Sequence, residues 1–137
     1  MTKLAASLWK RATEALEAAR HVLRVSADAA ASRAYYAAFY AVSALFALQG
    51  RRFRKHSALE AAVHHDLVRP GTWPVELGQQ FSDLVAARKA GDYGEDVRVS
   101  KEEAVRSIAA AEDILRAVAR AHPEEFGDLN FDDLPSI

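Results

Sequence analysis

Apolar residues recur along this chain at helical spacing, and in one stretch they occupy every face of the helix they predict. Over residues 3–25, Leu8, Ala12, Ala15, Leu16, Ala19, Val22 and Leu23 follow the 3.6-residue period of an amphipathic helix. A second helix is expected over 28–49, with Asp28 near its start and Gly50 as its stop. From Ala34 to Leu48 it carries no charge on any side. These fifteen residues are too few to span a bilayer, which takes about 20. The stretch therefore reads as a central helix surrounded by others, its alanines letting neighbouring backbones approach closely.

The later elements carry their own boundary signals. Ser57 and Glu60 have the spacing of a capping box for a helix over 57–69. Residues 70–74, Pro-Gly-Thr-Trp-Pro, break the chain. Leu77, Phe81, Leu84 and Val85 form one stripe of a helix over 75–90, and 91–99 reads as a loop. Ser100 and Glu103 suggest a second capping box, opening a helix over 101–121 with Ala104, Ile108, Ala111, Leu115 and Val118 inward. No strand pattern or internal repeat is present. The expectation is an all-α bundle of about five helices, one domain over 1–122, followed by an acidic, flexible tail over 123–137. Phe126, Leu129, Phe131 and Leu134 give that tail apolar side chains that can dock.

Composition narrows the function classes. The chain has 137 residues and no cysteine, which excludes disulfides and thiolate chemistry. Lys3, Lys10 and Arg11 interrupt the first apolar run, so no signal peptide is expected and the cytoplasm is the default location. The net charge of -1 hides an asymmetry, because five of the 19 acids lie beyond Ala121, where there is no Lys or Arg. The surplus of positive charge left before that point is too small to indicate nucleic-acid binding alone.

Candidate chemistry lies where polar residues meet apolar faces. Arg88 stands seven residues after Phe81, on the apolar stripe of its helix. A buried guanidinium needs a carboxylate or an anion. Asp92, at i+4, is the local carboxylate, so Arg88 is either half of a structural pair or a ligand contact. Arg33 opens the uncharged stretch one turn before Tyr36; it is either the last solvated charge or a second cation in the same pocket. Tyr35, Tyr36, Phe39 and Tyr40 read first as core, with base stacking as the alternative. His56 follows the basic run Arg51, Arg52, Phe53, Arg54 and Lys55. That segment is either a solvated loop or a phosphate site with His56 as proton donor or acceptor. His64, His65 and Asp66 are adjacent, so on a helix they diverge by about 100° per residue and form no mononuclear metal site. No metal or cofactor motif is legible.

The same residues carry a family resemblance. Ser32-Arg33-Ala34-Tyr35-Tyr36-Ala37-Ala38-Phe39, then Lys55-His56-Ser57, then Arg88-Lys89-Ala90-Gly91-Asp92-Tyr93 resemble three signature blocks of HEPN proteins (higher eukaryotes and prokaryotes nucleotide-binding), in their short stand-alone prokaryotic branch. The resemblance covers roughly residues 5–120. It implies an antiparallel four-helix core with an extra helix and a homodimer. Many members are metal-independent ribonucleases whose motif is Arg, four to six residues, then His; related proteins are often encoded beside a minimal nucleotidyltransferase, sometimes as toxin and antitoxin. Here Arg88 is followed after four residues by Tyr93, not His. Tyrosine titrates near pH 10 and is a poor base at neutral pH. The leading expectation is a nucleotide- or RNA-phosphate-binding module with Arg33, Tyr36, His56, Arg88, Asp92, Tyr93 and the 51–55 cations as its contacts, associated with a nucleotidyltransferase. The alternatives are a ribonuclease toxin using His56 with Arg88 or Arg33, and a non-catalytic protein-interaction module.

Overall fold

A helix without a charged face has to be enclosed, and the computed structural model, which describes residues 2–127, encloses it. Helix α2 (Ala27–Leu48) packs against α1 (Lys3–Val22), α4 (Val75–Tyr93) and α5 (Lys101–Ala121). Between α2 and α4 lies α3 (His56–Ala62), which continues into a π-helical turn over Val63–Val68. A short α6 (Pro123–Phe126) follows α5. Among the described residues there is no strand, and no helix is long and apolar enough to cross a membrane.

The four long helices form an antiparallel core. The short 23–26 connection turns α2 back along α1. Asp92, near the end of α4, meets Ser32 near the start of α2, while Phe81 meets Tyr35 further along. That order makes α4 antiparallel to α2. The 94–100 connector then returns α5 alongside α4. Alanine explains the tightness of the bundle: Ala30, Ala31, Ala34, Ala37, Ala38, Ala41 and Ala44 of α2 are all fully buried. An Arg20–Glu112 ion pair ties α1 to α5, with both side chains mostly buried.

The helix starts follow from their caps. Ser26 accepts from the Ala29 N–H at 3.0 Å and is the cap of α2. Asp28, the residue expected near that start, instead reaches across to the α4–α5 connector. It accepts from the Val99 N–H at 2.8 Å and pairs with Arg98 at 3.0 Å. The capping box of Ser100 and Glu103 is present as expected. After α2, Gly50 has φ 75°, the left-handed conformation that ends a helix most cheaply with glycine.

Two local expectations are overturned. Ser57 and Glu60 do not form a capping box: α3 begins one residue earlier, at His56, its cap residue Lys55 makes no side-chain bond, and Glu60 is engaged by Tyr35 of α2. The loop expected from Gly91 begins only after Tyr93. Gly91 is not a stop but a contact: a Cβ there would lie 2.9 Å from the Asp28 carbonyl oxygen. The missing side chain lets α4 lie on the α2 backbone and run on to place Asp92 and Tyr93. In the expected tail, Phe126 of α6 is fully buried and stacks on Trp9 of α1 at 4.7 Å. Leu129, Phe131 and Leu134 lie outside the described residues.

Candidate functional site

Two adjacent tyrosines of α2 organise the polar residues named above. Tyr35 points into the core and is fully buried; Tyr36, one residue on, is half-buried at the surface. Arg88 reaches them from α4. Its Nη2 donates to the Tyr36 hydroxyl at 3.0 Å and to the Tyr93 hydroxyl at 3.4 Å. Its guanidinium lies 5.3 Å from the Tyr35 ring centre and 5.4 Å from that of Tyr36. Nε is 3.1 Å from Asp92 Oδ2, an ion pair whose angle is poor for a hydrogen bond. The Arg88 side chain is only 14 % exposed, so it is a held cation, not a solvated one. Burial works against its charge, but Tyr36, Tyr93 and Asp92 outweigh that and raise its pKa.

Arg33 adds a second cation. Its guanidinium is 4.9 Å from the centre of the same Tyr36 ring. It is exposed and, among the described residues, has no carboxylate within ion-pair distance. Ser32, beside it on α2, donates to Asp92 at 3.4 Å and helps fix that carboxylate.

His56 enters from the start of α3. Its ring packs 4.4 Å from Phe39 and 5.7 Å from Tyr36. Its Nδ1 is 3.3 Å from the Tyr35 hydroxyl, which in turn donates to Glu60 at 2.8 Å. Since the phenol has one hydrogen and spends it on Glu60, the contact with Nδ1 assigns a hydrogen to Nδ1 and leaves Nε2 as the accepting nitrogen of neutral His56. Burial, then the bond and charge of Glu60, push the Tyr35 pKa well above its ordinary value, so this phenol stays neutral.

The sequence-predicted residues therefore divide. Arg33, Tyr36, His56, Arg88, Asp92 and Tyr93 gather around the tyrosine pair. The basic connector does not join them. Arg51 pairs with Asp66 at 2.7 Å, against the Phe46 and Phe53 rings. Asp66 also takes His65 at 2.6 Å, and these two partners, His65 first, hold its pKa below the ordinary value. Arg52, Arg54 and Lys55 are exposed and make no bond or ring contact with the Arg88 cluster. Sequence reasoning missed Glu60 and Ser32 as partners: each meets its contact across two helices, so no spacing within one helix signals it.

With this geometry in place, the family comparison is decisive. The HEPN domain model matches residues 5–122, and the chain belongs to the HEPN family. It is similar to a "UPF0332 protein" of Thermotoga maritima, 38% identical over 112 residues, covering 81% of this chain and 85% of that one. It is also similar to the Methanocaldococcus jannaschii protein named "Putative toxin MJ0142", 30% identical over 98 residues, covering 71% of this chain and 67% of that one.

Proposed function

We propose that this chain is a homodimeric HEPN-family binding protein that holds a nucleotide or RNA phosphate at Arg33 and Arg88 and acts with a minimal nucleotidyltransferase in a toxin–antitoxin pair. The observation that carries the site is the placement of two guanidiniums against one half-buried tyrosine ring, one of them held by phenols and the other free of any carboxylate among the described residues. Guanidinium geometry suits phosphate oxygens, and the ring offers a base a face to stack on. The name of the Methanocaldococcus relative supports the toxin part of the reading. A ribonuclease is the second reading. It is favoured by one observation, the His56 ring fixed by Tyr35 with Nε2 left as its acceptor.

Titration with 5′-AMP at several salt concentrations tests the binding reading. Affinity should fall as salt rises, because phosphate neutralisation releases counterions. Arg33→Ala should weaken it and flatten that dependence; an unchanged affinity would remove Arg33 from the site. Incubating single-stranded RNA with the pure protein separates the two readings. No cleavage is expected, and cutting that is lost in His56→Ala would replace binding by hydrolysis. Light scattering should give twice the 15.0 kDa chain mass.

A further inference from the structure

Helix α2 is enclosed on every side but one. After Ala31 its only residues with accessible side chains are Arg33, Tyr36, Phe39, Tyr40, Ser43 and Leu48. Arg33, Tyr36, Tyr40 and Ser43 follow one another at intervals of three and four, which is a single line along a helix. The Tyr36 and Tyr40 rings are neighbours on that line, 6.0 Å apart and tilted by 32°. Beyond Tyr40, the exposed Arg11 of α1 places its guanidinium 6.0 Å from the Tyr40 ring centre. Arg11 has no carboxylate in ion-pair distance among the described residues, as is true of Arg33 at the other end. The open line thus sets two neighbouring rings between cations: Arg88 with Arg33 at one end, then Tyr36 and Tyr40, then Arg11.

We infer that this line is a track for single-stranded RNA, with Tyr40 and Arg11 as a second subsite beside Arg33, Tyr36 and Arg88. The inference rests on the phosphate-binding reading above and extends it from one nucleotide to several. Arg33 to Tyr40 is seven residues, roughly 10 Å of helix. That length offers two ring platforms flanked by guanidiniums, more than one base and one phosphate use. Aromatic rings accept any unpaired base, and the cations at either end of the ring pair meet the phosphates that flank those bases. A duplex cannot use the rings, because its bases are already stacked within it.

Fluorescence anisotropy with the full chain tests this, using uridine oligomers of one to eight nucleotides and 5′-UMP as competitor. Affinity should climb over the first few nucleotides and then level. Arg11→Ala, and Tyr40→Leu, which keeps apolar bulk, should each weaken the oligomer by about fivefold or more, the lower edge of a lost stacking contact. Neither should change UMP affinity, and circular dichroism should show both folded. UMP binding with no length dependence, or variants that hold the oligomer like the wild type, would overturn the track and leave the phosphate site standing. Failure of both UMP and oligomer to bind would overturn both. If light scattering shows that either variant turns a dimer into a monomer, the line seats a second copy and the RNA track is overturned.

Discussion

Replacing Asp92 by Ala should change stability and anion affinity in opposite directions. Asp92 is the carboxylate opposite Arg88, 3.1 Å from Nε, and it is also held by Ser32. Two unit charges about 4 Å apart attract by about 4 kcal/mol at the effective dielectric of a protein surface, most of it offset by desolvation. Breaking a fully buried pair costs about 3–5 kcal/mol. This pair falls below that range for two reasons. The Asp92 side chain is 29 % exposed, so water already attends it. Arg88 also keeps its bonds to Tyr36 and Tyr93. A loss of about 1–2 kcal/mol in urea unfolding is the expected value, since the guanidinium is left under-compensated but not bare. Removing the carboxylate also makes the site more positive. Inorganic phosphate or AMP should then bind several-fold more tightly, with steeper salt dependence. A stability change below about 0.5 kcal/mol, the range of ordinary surface substitutions, would show that Asp92 does not hold Arg88. Weaker phosphate binding in a folded Asp92→Ala protein would refute the assignment of the site as an anion receptor.

Phe126→Ala should cost about 1–3 kcal/mol, below the 3–5 of a core phenylalanine because the four-residue α6 can detach without opening the bundle, and Trp9 fluorescence should shift toward the solvent-exposed value; unchanged emission would mean that the stack does not form. Glu103 is held below its ordinary value of 4.5 by the Ser100 backbone N–H first and the Ser100 hydroxyl next, so its cap contributes fully above that value and is lost as pH falls through the lower folded one. Thermal unfolding from pH 6 to 3 should accordingly lose part of its acid slope in Glu103→Gln, and identical slopes would refute the cap's role.

Periodicity recovers α1 and α5 to within three residues because each is one apolar face against polar neighbours, while α2 follows from its uncharged run and the stop at Gly50. The errors came where a local rule met a tertiary contact. Gly91 looked like a terminator because glycine is a poor helix residue, but its lack of a side chain is what the α2 backbone at Asp28 requires. Ser57 and Glu60 had the right spacing for a box, and Glu60 was taken by a phenol 25 residues away. The grouping of Arg33, His56 and Arg88 follows from the family resemblance, whose three blocks supply one each; the apolar stripe by itself signals only that Arg88 needs a partner. Their shared centre, the Tyr35–Tyr36 pair, was not legible, since an aromatic run on a buried helix reads equally as core. Tyr35 is core and Tyr36 is surface. Arg51 shows the opposite failure: a charge run suggested a common role, and the fold ties its first member to Asp66.

The arrangement of protons separates holding a phosphate from cleaving its ester. In the ribonucleases that this chain resembles, histidine follows the arginine after four to six residues. Here that place is Tyr93, 68 % exposed, with its oxygen facing Arg88 Nη2. His56 reaches the same tyrosine pair from α3. Its only side-chain hydrogen-bond partner among the described residues is Tyr35, and the Tyr35 hydrogen is committed to Glu60. A phenol whose pKa is pushed further above its ordinary value keeps its hydrogen at neutral pH, and that hydrogen is held on Glu60. The chain Glu60–Tyr35–His56 therefore orients the imidazole. An imidazole oriented in this way beside the Tyr36 ring can add one more hydrogen-bonding contact to the proposed phosphate site. Turning it into a general acid–base would need a second proton-active group near the same phosphate, and the position where the resembled nucleases place that group holds Tyr93, a phenol in place of an imidazole.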